Sequence, residues 1–327
     1  MTKNKHFIIN ETDSGERLDI FLTGKLEISR SQAQKMIENN LVTVNGEVPK
    51  KAGNTMRMGY KIVILGKAKT FSSPETKKLL ATPEKNKTEK FPEPKVIAKT
   101  PDYIIIEKPT GMLTHPTMAN EKNALSSWLT KKYPSIKKVG DDPKLRPGIV
   151  HRLDKEASGL LVVARTQKMF NHLKEQFKNR TVEKEYYALV HDQVAKDWDE
   201  LNFPIARSET SDRMAARPLS SAGTTEGEKE AKTEFFVEKR FVNFTLLRVI
   251  LHTGRMHQIR VHLLAYNHPL VGDPLYIQKK RKRAWDEKLG RLFLHSTKLS
   301  FIDLGGNKQT FESPLPDELR EFLKTLA

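Results

Sequence analysis

The densest run of polar and ionisable side chains in this sequence is Arg146-Pro-Gly-Ile-Val-His151-Arg152-Leu153-Asp154-Lys-Glu-Ala157-Ser158-Gly159. It stands directly before Leu160-Leu-Val-Val-Ala164, a stretch apolar on both faces and therefore a central strand of a sheet. A loop adjoining a sheet core is where a side chain can be held still enough for catalysis. Spacing alone leaves two readings of Asp154 open. It is a fixed catalytic carboxylate, or it caps the turn before Ser158-Gly159 while Arg152 makes an ordinary surface ion pair.

Other chemistries find less support. The 327 residues contain no cysteine, which removes disulfides, Cys-ligated zinc, iron–sulfur clusters and thiol nucleophiles together. There is no Gly-Lys-Ser/Thr phosphate loop, no G-x-G-x-x-G after a strand and no G-x-S-x-G elbow. His151-Arg152-Leu153-Asp154 differs from a kinase catalytic loop by an extra Leu and lacks an Asp-Phe-Gly partner. His252, His257 and His262 are spaced by five, whereas side chains stack on one helical face at three or four. They read as hydrogen-bonding or RNA-facing histidines, with no metal and no cofactor expected.

The elements that must position these groups follow from periodicity. Tyr103-Ile-Ile-Ile-Glu107 predicts a strand that ends in Lys108-Pro-Thr-Gly111. Thr166 is a suitable cap for a helix with Phe170, Leu173 and Phe177 on one side. Val182, Lys184, Tyr186, Ala188 and Val190 share one face of the next strand. Phe244–Leu251 is another apolar strand, and Thr253-Gly254 leads into a helix with the core stripe Met256, Ile259, Leu263 and Tyr266. Strands and helices mix without strict alternation, which argues for an α+β fold.

A smaller unit precedes this. Leu18, Phe21 and Leu22 sit at helical spacing, and Ser29 can cap a second helix, Arg30 to about Glu38, with Ala33, Met36 and Ile37 inward and Arg30, Gln34 and Lys35 outward. Leu41–Val44 and Tyr60–Ile64 read as strands, with Asn45-Gly46 a hairpin turn. Residues 66–95 hold eight Lys, four Glu and four Pro with almost no apolar periodicity, the composition of a flexible cationic linker. The expected division is residues 1–66, a linker 67–95, and a main domain 96–327.

Lys and Arg number 57 against 40 Asp and Glu, a formal charge of +17. A chain this basic meets a polyanion. No run approaches a membrane span, and the N-terminal Phe7-Ile8-Ile9 is too short for a signal peptide. A soluble, cytoplasmic, monomeric protein that binds nucleic acid rather than membrane is the expectation.

The stretch Gly148-Ile-Val-His-Arg-Leu-Asp-Lys-Glu-Ala-Ser-Gly-Leu-Leu-Val-Val-Ala-Arg165 resembles the signature of the RluA-type RNA pseudouridine synthases. Tyr103–Pro116, the Lys184-x-Tyr186-x-Ala188 strand, and Thr253–His262 with His268–Tyr276 resemble that family's other motifs in the same order. Arg17-Leu-Asp19, Ser29-Arg30-Ser31 and Val44-Asn45-Gly46 resemble an S-four-like RNA-binding module, a pairing that looks most like the RluD-type branch, which modifies large-subunit ribosomal RNA. The chain departs from the family at Ala157, where Thr is frequent, in the length of its Lys-rich linker, and in the basic run Lys279-Lys280-Arg281-Lys282-Arg283.

The resemblance implies a pseudouridine synthase fold, a mixed and mainly antiparallel sheet flanked by helices. It implies a reaction that breaks the uracil N1–ribose C1′ bond, turns the base and rejoins it through C5, with no cofactor. Asp154 matches the catalytic position, as a nucleophile or as a base for a ribose proton. Arg260 matches its ion-pair partner, and Tyr186 the active-site tyrosine that stacks on uracil and serves the C5 proton. Arg152, or His151, would fill the space left by the flipped base. Arg255, at a helix start, is a candidate phosphate clamp, with His257 beside it. Arg30, Lys35, Lys50, Lys51 and Lys279–Arg283 would contact the RNA backbone. A tRNA-directed synthase and a non-catalytic ribosome-assembly factor are the competing readings.

Overall fold

The computed structural model describes residues 5–26, 28, 30–49, 51, 53–65, 92–116, 124–208, 213–216, 227–277 and 284–326, apart from the side chains of residues 30–32 and 35. The chain divides into two compact units, Met1–Asn86 and Lys87–Ala327.

In the first unit, β1 (Lys5–Ile8), α1 (Leu18–Leu26), α2 (Arg30–Glu38), β2 (Val42–Val44) and β3 (Lys61–Ile64) form an antiparallel sheet in the order β1-β3-β2 beneath two helices. Leu18, Phe21, Leu22, Ala33, Ile37, Val42 and Ile62 make its core. Three features differ from the sequence reading. β1 is additional, because Phe7-Ile8-Ile9 is too short to declare a period. Gln34 does not face outward: its amide donates to buried Asp19 at 2.8 Å, tying α2 to α1. Asn45 and Gly46 both have positive φ and turn the chain, but the turn closes only a bridge from Val44 to Glu47, and β2 pairs with β3. The Ser29 cap lies outside the described residues.

In the second unit, the strands are β4 (Lys95–Lys99), β5 (Tyr103–Lys108), β6 (Ser158–Ala164), β7 (Glu183–His191), β8 (Trp198–Leu201), β9 (Ile205–Arg207), β10 (Met214–Ala216), β11 (Thr233–Arg240), β12 (Phe244–Leu251), β13 (Leu294–Ile302) and β14 (Lys308–Glu312). The helices are α3 (Leu125–Lys132), α4 (Gln167–Lys178), α5 (Gln258–Ala265), α6 (Ala284–Leu289) and α7 (Asp317–Lys324). The main sheet runs β4-β5-β6-β13-β7-β12-β11-β8, with β14 on β13. Its described pairs are antiparallel except β6–β13. This is the expected α+β arrangement.

All seven residues of β6 are buried, as its two-sided apolar pattern requires. Thr166 caps α4 by accepting from the Met169 amide. Tyr186 and Ala188 join the core cluster on one face of β7. The last helix of the motif starts later than its apolar spacing suggests. His257 is left-handed, with φ 57°, so α5 begins at Gln258, and Met256 drops out of the core stripe. β4 begins inside the expected linker, and Glu93 accepts from Trp128 Nε1 at 2.9 Å, so residues 92–95 are part of this unit.

Candidate active site

Asp154 occupies a loop whose backbone is held along nearly its whole length. Thr114 Oγ1 donates to the Leu153 carbonyl at 2.9 Å, and the Leu153 amide donates back to it at 3.2 Å. The Gly111 amide donates to the Lys155 carbonyl, and Thr110 Oγ1 to that of Glu156. Lys108 is fully buried, with Nζ 2.7 Å from the Ala157 carbonyl, 3.3 Å from that of Lys155 and 2.8 Å from those of Pro109 and Met112. Burial pushes the Lys108 ammonium down to about 7, while Asp154 and Glu156 pull it up. Only the protonated form has three N–H groups for these carbonyls, so the cradle itself favours the charged state. The segment after β5 thus works as a clamp for Leu153–Ala157.

Glycine sets both ends of the loop. Gly148 has φ 68°, and a Cβ there would lie 2.3 Å from the Ala164 carbonyl oxygen. Gly159 has φ 116°, and its Cβ would lie 2.3 Å from the Ser296 carbonyl oxygen. Neither site admits a side chain. Next to Gly159, Ser158 Oγ accepts from Arg291 at 2.6 Å and pairs with His295 Nδ1 at 2.9 Å. Ala157 is buried and contributes its carbonyl to Lys108, so the loop is anchored without a hydroxyl at that position.

The loop delivers Asp154 to Arg260 on α5. Arg260 is fully buried, and its Nη1 lies 3.3 Å from Asp154 and 3.1 Å from Glu156. Its fork, however, closes on a different carboxylate: Nε and Nη2 reach the two oxygens of Asp273 at 2.8 and 2.7 Å. The Leu275 and Tyr276 amides donate to Asp273, and the Tyr276 ring lies 5.1 Å from the guanidinium carbon. Desolvation works against the charge on Arg260, but the hydrogen bonds and charge of Asp273, then Asp154 and Glu156, outweigh it and raise the pKa. The sequence reading paired Arg260 with Asp154 alone; Asp273 takes the bidentate contact because it lies on the guanidinium's paired N–H edge.

Tyr186 lies on β7 opposite Val249 and Ser296, buried, and lines the same cavity as Asp154. Burial pushes its phenol well up, against a hydrogen bond with Ser296. The cavity has a volume of about 570 Å³, enough for a nucleotide. Arg152 is exposed, has no side-chain partner among the described residues, and lines the cavity.

Three residues sit otherwise than expected. His151 accepts from the Val162 amide at Nε2 (3.0 Å) and stacks on Phe177 at 4.6 Å. Burial, and then Lys184, push it down to about 3. A neutral ring already stacked and hydrogen-bonded to the sheet is built into the fold, so His151 is not free to enter a space left by a flipped base. Arg255 is not a helix-start clamp, since α5 begins at Gln258 and Gln258 Oε1 takes the Arg255 amide at 2.9 Å. The Arg255 Nε donates to the Glu230 carbonyl. His257 pairs with the Tyr276 hydroxyl at 2.8 Å and comes within 4.0 Å of Asp154; desolvation lowers its pKa against the pull of Asp154. His252 turns instead to Glu234, and His262 to the Phe203 carbonyl.

Lys51 is exposed on the first unit. The side chains of Arg30 and Lys35, all of Lys50, and Lys279, Lys280, Arg281, Lys282 and Arg283 lie outside the described residues. Sequence reasoning passes over Lys108, Glu156 and Asp273. All three stand within the quoted motifs, but only Asp273, a carboxylate in the motif that follows Arg260, offers a signal.

Residues 102–265 match the RNA pseudouridylate synthase family, and residues 16–61 match the S4 domain. An uncharacterized RNA pseudouridine synthase of Bacillus subtilis is 33% identical over 97% of this chain and 96% of its own length. Ribosomal large subunit pseudouridine synthase D of Escherichia coli is 31% identical over 97% of this chain and 93% of its own. Human RNA Pseudouridylate Synthase Domain Containing 4 shares the fold, with a TM-score of 0.57 at 24% identity over 71% of this chain and 92% of that one. A carboxylate loop clamped beside a central strand, set in this fold and joined to an S4 domain, places the chain in the RluA-type family of RNA pseudouridine synthases, isomerases of uridine in RNA.

Proposed function

We propose that this protein isomerises specific uridines of large-subunit ribosomal RNA, with Asp154 as the catalytic carboxylate. The supporting observation is the convergence of Asp154, Arg260 and Tyr186, from three separate motifs, on one nucleotide-sized cavity. The relatives named for ribosomal large subunit pseudouridine synthase D, together with the S4 domain, favour ribosomal RNA. The protein acts as a cytoplasmic monomer, with residues 1–66 an RNA-binding domain, 67–91 a linker and 92–327 the catalytic domain. Among the described residues no helix is long and apolar enough to cross a membrane.

In this reading the target uridine leaves its stack at a cost of a few kcal/mol. Arg152, exposed and unpaired beside the cavity, fills the vacated space. Asp154 attacks the ribose or removes a ribose proton as the N1–C1′ bond breaks. Arg260 holds the carboxylate in place and is itself held by Asp273. Tyr186 lies against the turned base as a neutral phenol. It relays the C5 proton rather than keeping it, accepting that proton as its own O–H proton passes along the hydrogen bond with Ser296 toward solvent, and the departure is favoured because C5 regains conjugation with the ring. Lys51, Lys279–Arg283 and the S4 domain add phosphate contacts without base readout.

Replacing Tyr186 with Phe keeps the ring and removes the hydroxyl. Turnover should fall by on the order of 10²-fold, within the usual range for a proton-transfer group, while RNA affinity stays near that of the intact protein. A rate equal to wild type would remove Tyr186 from proton transfer. Deleting residues 1–91, which spares Glu93 and β4, should weaken binding to long structured RNA. For every phosphate that the shortened protein no longer neutralises, the log–log salt dependence should flatten by roughly 0.7 to 0.9. The single-turnover rate at saturating enzyme should hold. Unchanged affinity and slope would deny the first unit its RNA-binding role.

The direct assay is tritium release from C5-labelled uridine in transcripts of large-subunit ribosomal RNA and of tRNA. Release from the ribosomal transcript is the expected result. Release confined to tRNA would redirect the enzyme, and release from neither would refute the substrate assignment.

A further inference from the structure

Asp154 is the one carboxylate among the described residues that line the cavity, whereas seven lysines and arginines line it. Most of those cations are satisfied elsewhere or stand in solvent. Arg260 is bound to Asp273, Arg180 to Glu230 and Lys178 to Glu175. Lys184 is the exception. It is only 8% exposed, its Nζ lies over the Phe177 ring 5.8 Å from the centroid, and its ammonium has no hydrogen bond or ion pair among the described residues. A buried cation without a counter-charge is costly unless an anion arrives to complete it.

The strand fixes where that anion would be. Lys184 and Tyr186 lie on the same face of β7, about 6.6 Å apart along the strand. Asp154, Tyr186 and Lys184 line one cavity, so a base resting on Tyr186 with its ribose at Asp154 would place a flanking linkage in the space that Lys184 also lines. His151, which feels the Lys184 charge, has its ring stacked on Phe177 and offers no negative charge. Burial pushes the Lys184 ammonium down to about 8, the behaviour of a cation that lacks a partner in the free protein. A uracil carbonyl would satisfy one N–H but not the charge; a phosphodiester satisfies both.

We propose that Lys184 binds a phosphodiester linkage flanking the uridine that is isomerised, and so fixes the depth to which the flipped nucleotide enters. The inference rests on the target uridine occupying the Asp154 cavity. Lys184 is a substrate-binding residue here, distinct from the S4 domain's contacts because it grips the reacting nucleotide itself.

The test uses a hairpin RNA carrying a uridine that the intact protein converts. It is made in three forms: all phosphate, and with an uncharged methylphosphonate on the 5′ or on the 3′ side of that uridine. Binding is measured in the full-length Asp154→Asn protein, which does not turn over, with Lys184 intact or changed to Met or Arg. With Lys184 present, one of the two neutral linkages should weaken binding about tenfold or more. With Lys184→Met the three RNAs should bind alike, and the salt slope should drop by roughly 0.7 to 0.9. Lys184→Arg should restore the discrimination. If the same linkage still matters in full with Lys184→Met, or if neither linkage matters with Lys184 present, the proposal is overturned. Failure of the cavity reading looks different: Asp154→Asn would then still convert the unmodified hairpin, which sinks both.

Discussion

Asp154→Asn should leave no detectable pseudouridine. The substitution preserves size and removes both charge and basicity, so the reacting sugar loses its nucleophile or base, a loss on the order of 10³-fold or more. The surrounding geometry predicts that the protein stays folded. Arg260 keeps Asp273 on its fork and Glu156 on Nη1, so its charge is not stranded. The loop is held by Lys108, Thr110, Gly111 and Thr114 through backbone atoms that the substitution does not touch. RNA affinity should therefore change by less than about tenfold, because most of it comes from phosphate contacts. Tritium release and a binding titration on the same preparation separate the two effects. Activity within about tenfold of wild type would remove Asp154 from the reaction.

Arg260→Met should damage both activity and stability, in contrast to Asp154→Asn. Without the guanidinium, Asp154, Glu156 and Asp273 face one another around a buried apolar side chain with no positive charge between them. Breaking a buried pair from one side costs about 3–5 kcal/mol, and here one cation serves three carboxylates. The urea midpoint should fall clearly, and turnover measured well below that midpoint should drop by on the order of 10²-fold as Asp154 loses its anchor. Arg260→Lys separates charge from geometry. It restores a point charge without the fork, so stability should recover in part while turnover stays low. A Met variant with wild-type midpoint and rate would mean that the three carboxylates do not depend on this side chain.

The parts of this architecture that are legible in the sequence are those written in short-range patterns. β6 announces its central position because Leu160–Ala164 is apolar throughout, and β7 announces its inward face through Lys184, Tyr186, Ala188 and Val190 at alternate positions, while Val182, the first residue of that pattern, falls just before the strand. Thr166 announces α4 through its capping chemistry. The approach of Arg260 to Asp154, anticipated by resemblance, is found at 3.3 Å. What stays hidden depends on contacts distant in sequence or on backbone atoms. Lys108 binds carbonyl groups, which every residue carries, so no side-chain pattern marks it out. Asp273 captures the fork of Arg260 only because the chain returns after α5 and presents it there. The start of α5 is misplaced when a 3.6-residue period is extended back through His257, whose left-handed backbone lets the helix begin only after it.

The central claim is that Asp154 acts on uridines of large-subunit ribosomal RNA. It is tested most directly by mapping pseudouridine in total RNA from cells lacking this protein, complemented with either the wild type or Asp154→Asn. A chemical adduct that stops reverse transcription is the suitable readout, since pseudouridine has the mass of uridine. The expected result is that one or more pseudouridines vanish from large-subunit ribosomal RNA, return with the wild type, and stay absent with Asp154→Asn. Restoration by the Asn variant would contradict the role of the carboxylate, and an unaltered ribosomal pattern would contradict the substrate.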